Sequence, residues 1–204
     1  VHASRTMSLR NTSLADLAKH VGKSTTVHAW VTHLRSSGKV AFADLRDGRG
    51  VSQAVFVKSA VSPEVWERYG KLTLETAVCI TGEVRANPKA AGGFEIGVRD
   101  LAIVGASPVD YPIQPKEHGV DFLLDRRHLW LRSPKQRAVF VVRNEIEQAI
   151  HDFFYERGFL RTDTPILTAA IGERSGLFET QYFEEGIAYL AQPGQLYGEA
   201  AGAA

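Results

Sequence analysis

The 204 residues carry 24 Lys and Arg against 23 Asp and Glu, 44% hydrophobic residues and a single Cys. No apolar run approaches the ~18 residues of a helical membrane span, and one Cys excludes both an internal disulfide framework and a Cys-ligated zinc site. Charge is divided unevenly: residues 1–112 hold 14 basic and 10 acidic side chains and residues 113–204 hold 10 and 13, which makes the first half the candidate polyanion binder. A single Cys makes a reducing cytoplasm the expected location, and Val1 to Arg10 fits neither a secretory signal nor an amphipathic transit peptide.

Period-2 alternation predicts five strands, at Thr26–Val31, Val40–Leu45, Ser52–Val57, Ala77–Thr81 and Glu95–Val98. Asp47-Gly48-Arg49-Gly50 reads as the tight turn between the second and third, and Asn87-Pro88 with Gly92-Gly93 as the loop before the fifth. Between the third and fourth strands, Ser62 is an N-cap and Pro63 the first position of a short helix to Tyr69. Five short strands with one helix in that interval is the layout of an OB-fold, a small Greek-key barrel whose strand face binds oligonucleotides; another small barrel or sandwich has similar spacing.

Three prolines, Pro108, Pro112 and Pro115, then stiffen the chain into a linker. From about Pro134 to Arg157 the apolar residues Val139, Val142, Ile146, Ala149, Ile150 and Phe153 recur at helical spacing, with Gly158 placed as the C-terminal cap. A strand is expected at Phe159–Thr162, followed by Pro165-Ile166-Leu167.

The long helix running into Arg157-Gly158-Phe159-Leu160-Arg161-Thr162-Asp163-Thr164-Pro165 resembles motif 1 of the class II aminoacyl-tRNA synthetases. Together with the OB-fold layout, the Pro-rich hinge, Leu124-Asp125-Arg126-Arg127-His128-Leu129-Trp130 and Tyr189 to Tyr197, it is similar to the subgroup that charges tRNA with Asp, Asn or Lys. Within that subgroup, Gly194-Gln195-Leu196-Tyr197-Gly198-Glu199-Ala200 resembles the bacterial asparaginyl enzymes. The implied fold class is β plus α/β: a five-stranded OB-fold barrel, a hinge, and the beginning of a class II catalytic domain with its antiparallel sheet. The implied domains are an extension at 1–13, the anticodon-binding barrel at 14–106, the hinge at 107–133 and the first part of the catalytic domain at 134–204.

The resemblance also implies site residues. Phe42 and Gln53, eleven residues apart, would hold the central anticodon uridine, the ring by stacking and the amide by hydrogen bonds to the base edge; the competing assignment makes Phe42 core and Gln53 a solvated strand residue. Arg35, taken as a loop residue before Ser36-Ser37-Gly38-Lys39, would flank the anticodon, and Glu95 would read a second base. Glu173 falls in the position of the mobile loop that closes over the amino acid. Gln192, Gln195 and Glu199 would choose the amino acid: where aspartyl enzymes place a Lys this chain has Gly198, and Glu199 would accept from a side-chain amide and repel a carboxylate, both favouring Asn. Pro193 departs from the usual Ser and removes a backbone donor. Phe153, Phe154, Gly158 and Pro165 would contribute to a two-fold dimer interface, with intramolecular packing as the competing use of the same apolar stripe.

The implied activity is ATP- and Mg²⁺-dependent activation of asparagine and its transfer to tRNA(Asn). The Phe-Arg-x-Glu core of motif 2 and the Gly-x-Gly-x-x-Arg of motif 3 do not occur in these residues, nor does a P-loop. The expectation is therefore a chain that is inert alone, has no catalytic residue or metal site of its own, holds neither ATP nor Mg²⁺ tightly, and has tRNA(Asn), asparagine and a second copy as partners, with no membrane. Two alternatives stand beside it: an aspartyl-tRNA synthetase with relaxed tRNA choice, and a non-catalytic tRNA-binding OB-fold module.

Overall fold

The computed structural model describes residues 12–168, 177–191 and 193–204, in two compact units that divide after Trp130. The first unit is a closed barrel in the order β1-β2-β3-β5-β4, with β1 Ser24–Ser37, β2 Val40–Arg46, β3 Val51–Val57, β4 Ala77–Ala86 and β5 Phe94–Gly105. All ladders are antiparallel except the short β3–β5 pairing, which is parallel and completes the barrel.

Strand β1 does two jobs, and a bulge makes that feasible. Its first half, Ser24 to Trp30, pairs with β4, and its second half, Trp30 to Ser37, pairs with β2. Between Val31 and His33 the register shifts, leaving Thr32 as the additional residue, whose hydroxyl donates to the Asp44 carbonyl at 3.2 Å. A bulge of this kind bends the strand and raises its twist, as closing a small barrel requires. It also reverses the alternation: Val27, Ala29 and Val31 point into the core before it, and Leu34 packs against the core after it.

Inside the barrel Val27, Val31, Ala41, Leu45, Phe56, Ile80, Val84, Ile96 and Leu101 are fully or almost fully removed from water. Helix α1, Pro63–Tyr69, starts as expected: Ser62 accepts from the Val65 N–H and Pro63 opens the first turn. It adds Val65 to the core and sets Tyr69 against Phe56, ring centroids 4.9 Å apart. A short 3₁₀ segment, Leu14–His20, buries Leu14 and Leu17 in the same core. The turn at Asp47 anchors this segment. Its carboxylate accepts from the Ser13 hydroxyl and from the N–H groups of Leu14, Arg49 and Gly50 at 2.6–2.9 Å. Gly50 is required there because a Cβ would lie 2.6 Å from the Ala15 nitrogen.

The region 107–133 is not uniformly extended. Two short helices, α2 Val120–Asp125 and α3 Arg127–Trp130, follow the proline-rich stretch. The second unit contains α4, Pro134–Tyr155, capped by Ser133, and a three-stranded antiparallel sheet in the order β6-β8-β7, from Leu167–Thr168, Ile187–Leu190 and Glu179–Gln181. Helix α5, Gln195–Gly202, follows. Gly158 adopts φ of +80° just past α4, and the N–H of Phe159 returns to the Phe154 carbonyl, a left-handed helix stop that favours glycine. The strand expected at Phe159–Thr162 does not form; a strand needs a ladder partner, and no described segment pairs with this one.

Candidate nucleic-acid interface

On β2, the core takes Ala41, Ala43 and Leu45, so Phe42, Asp44 and Arg46 face outward. On β3, Ser52, Ala54 and Phe56 face inward, so Gln53 and Val55 share that outer face. Phe42 stands opposite Val55 and Asp44 opposite Gln53, which makes Phe42 and Gln53 diagonal neighbours on one surface. Phe42 is not a core residue: its ring is partly exposed. Gln53 is not a solvated one, because it is only 5% exposed, and its Nε2 donates to Asp44 Oδ1 at 3.2 Å.

Arg35 lies in β1 rather than in a loop, directly opposite Phe42. The Thr32 bulge turns it outward, and a period-2 reading that stops at Val31 has no access to that change of phase. Its guanidinium carbon is 5.0 Å from the Phe42 ring centroid and its Nη1 is 3.8 Å from Asp44 Oδ2. A cation over an exposed ring contributes about 0.5–1 kcal/mol, whereas a stacked nucleobase contributes about 1–3 kcal/mol. A base can therefore displace or share this position at favourable net energy.

Glu95 extends the face onto β5, paired in register with Gln53 on one side and Arg85 on the other. Asn87 Nδ2 donates to Glu95 Oε2 at 2.7 Å and fixes the carboxylate. Beneath the surface, the Tyr69 hydroxyl sits 3.0 Å from the Arg35 carbonyl and 3.2 Å from that of Phe42. Burial, the largest influence, pushes this hydroxyl's pKa up, so it remains a donor and ties the backbone of both outward residues to α1. Asp44, Asn87 and Tyr69 were not among the sequence-derived candidates. Only the cross-strand register and the return of α1 bring them to the face.

The amino-acid-side candidates are divided. Glu173 and Gln192 lie outside the described residues. Gln195 and Glu199 are one turn apart on α5, with Gln195 Nε2 donating to Glu199 Oε1 at 2.8 Å, so the carboxylate already accepts from a carboxamide. A Cβ at Gly198 would meet nothing within 4 Å. On α4, Phe153 and Phe154 are about half exposed and meet edge to face at 5.3 Å, and the Arg157 guanidinium lies 3.5 Å over Phe153. Pro165 is exposed. Among the described residues no group of three or more His, Cys, Asp or Glu is placed to hold a metal ion.

Two family models match the two units of the chain: the OB-fold nucleic acid binding domain over residues 25–104, and the tRNA synthetases class II (D, K and N) over residues 119–204. Over residues 119–204 the chain is thus similar to the class II tRNA synthetases of this group. Asparagine--tRNA ligase of Thermus thermophilus is 48% identical over 186 residues, covering 91% of this chain and 42% of that protein. The enzyme of the same name from Roseiflexus castenholzii is 48% identical over 193 residues, covering 94% and 44%. Among solved structures, asparaginyl-tRNA synthetase from Pyrococcus horikoshii complexed with asparaginyl-adenylate superposes with a TM-score of 0.84 at 33% identity, covering 95% of this chain and 45% of that one. The chain thus spans less than half the length of the relatives it matches. It comprises the OB-fold and the beginning of the class II catalytic domain.

Proposed function

We propose that this chain is the anticodon-reading and first catalytic-domain portion of an asparagine-tRNA ligase, which activates asparagine with ATP and transfers it to tRNA(Asn) in the cytoplasm. The observation that carries the reading is the outer face of the barrel, where a partly exposed Phe42 ring and the Gln53 amide are diagonal neighbours. A splayed base stacks on such a ring and hydrogen-bonds to such an amide. Asparagine is favoured over aspartate because Gly198 supplies no cation and Glu199 accepts from an amide, as its bond to Gln195 illustrates. Bound to the whole enzyme, ATP would supply the adenylyl group that activates the substrate carboxylate, with release of pyrophosphate and with Mg²⁺ in support. This chain's residues supply tRNA positioning, amino-acid selection and, through the half-exposed stripe of α4, pairing with a second copy.

The test is fluorescence-anisotropy binding of the chain to a tRNA(Asn) transcript at fixed salt, compared with transcripts altered at U35 and at U36. A loss of about 1–3 kcal/mol on changing U35, the range of one base-edge contact, and a separate loss of about 1–3 kcal/mol for Phe42→Ala on the unaltered transcript, from lost stacking, are the expected results. Equal affinity for all three transcripts would leave only backbone electrostatics and reject the barrel as an anticodon reader. A further loss at U36 favours tRNA(Asn) over tRNA(Asp).

A further inference from the structure

Gln53 carries a polarity that its sequence does not determine. A carboxamide can present either its oxygen or its NH₂ to a ligand, and the two ends are nearly isosteric. In this barrel the choice is made by Asp44. A carboxylate only accepts, so the end of the Gln53 amide that faces Asp44 Oδ1, 3.2 Å away, is the NH₂. The carbonyl oxygen is then the end of the amide turned away from Asp44, and Gln53 and Phe42 are diagonal neighbours on one outer face. Asp44 is itself held from three sides: its other oxygen, Oδ2, lies 3.8 Å from Arg35, its carbonyl accepts from Thr32, and it stands in register with Gln53.

We infer that Asp44 is a positioning residue that locks the Gln53 amide with its oxygen toward the ligand, so that the site selects a base with an imino N–H donor and rejects one with a bare ring nitrogen. Uracil offers N3–H at that edge, whereas cytosine offers a lone pair that would meet the Gln53 oxygen in repulsion. The inference rests on the anticodon reading and adds the origin of its base preference. Phe42 cannot supply this preference, since every base has a face to stack. Gln53 without Asp44 cannot supply it either, since a free amide rotates to suit either pyrimidine.

The experiment compares U35 and C35 versions of the tRNA(Asn) transcript against the wild-type chain, Asp44→Asn, Gln53→Ala and the double variant. The wild type is expected to prefer U35 roughly tenfold or more, within the range of one good base-edge contact. Asp44→Asn preserves shape but lets Gln53 face either way, so the U35:C35 ratio should fall to about twofold or less while the melting temperature and the stacking contribution of Phe42 persist. In the Gln53→Ala background the same Asp44→Asn change should leave the ratio unaltered, because the two residues act as one unit. Retention of the wild-type ratio by Asp44→Asn would overturn the inference and leave the anticodon reading standing. A change of equal size in both backgrounds would overturn it as well, by making Asp44 a direct reader of the base. No preference for U35 in the wild type would remove the anticodon reading itself. Should Asp44→Asn fail to fold, the wild-type chain with 3-methyluridine at position 35, which lacks the N3–H, decides the matter: undiminished affinity overturns the inference.

Discussion

The barrel and α4 use similar numbers of apolar residues to opposite ends. In the barrel, Val, Leu, Ile and Phe side chains from all five strands are brought to near-zero exposure within one closed ladder. In α4, a 22-residue helix with apolar residues at helical spacing, no residue is buried at all, and Val139, Val142, Ile146 and Ile150 each remain about half exposed. A barrel satisfies both its backbone and its apolar side chains from within its own chain, whereas an amphipathic helix satisfies only its backbone and leaves its stripe to whatever covers it.

That contrast can be sharpened by mutation. Phe56→Ala should cost the barrel about 3–5 kcal/mol, the range for emptying an aromatic site in a core, while Ile146→Ala should stay within about 0.5 kcal/mol in the isolated chain; urea denaturation of the two variants measures both. If Ile146→Ala proves as costly as Phe56→Ala, the stripe on α4 is covered, and the comparison fails. A smaller effect is expected at the Asp47 turn. Burial is the largest single influence on this carboxyl and pushes its pKa up, but the N–H groups of Leu14, Arg49 and Gly50 and the Ser13 hydroxyl together outweigh it, so the group titrates below its ordinary value of 3.8. A depressed folded pKa means that the stabilisation is complete above the unfolded value and is lost as pH falls below 3.8 through the folded value. Asp47→Asn should therefore cost about 1–3 kcal/mol at neutral pH, and its melting curve should converge on that of the wild type below that pH. Ser133→Ala should remove about 1 kcal/mol of capping from α4, visible as faster amide exchange in its first turn with none in the barrel.

The elements whose partners are adjacent in sequence were the legible ones. Alternation placed β2 and β3 almost to the residue, Ser62-Pro63 announced α1, and Gly158 marked the end of α4. Strand β1 was legible only up to the bulge, because an added residue breaks the alternation on which the reading depends. Arg35 was consequently placed in a loop. Phe159–Thr162 has the composition of a strand, yet pairing is a property of two segments and composition belongs to one. The same reason hid Asp44: its bond to Gln53 depends on register across a hairpin, and the turn at Asp47–Gly50 fixes that register only once it is folded. The family resemblance supplied Phe42 and Gln53 as a pair, but not the polar scaffold that orients them.

Thr32 has a consequence out of proportion to its chemistry. It contributes one hydroxyl bond and no apolar core contact, yet its exclusion from the β1–β2 pairing determines which side of β1 every later residue occupies. Paired as an ordinary ladder residue, with no bulge, Thr32 would carry the alternation on unbroken and turn Leu34 to solvent and Arg35 toward the barrel interior. Removal of Thr32 would instead leave Val31 opposite Leu45, His33 opposite Asp44 and Leu34 opposite Ala43, so strand β1 tolerates the loss of that position but not its entry into the ladder.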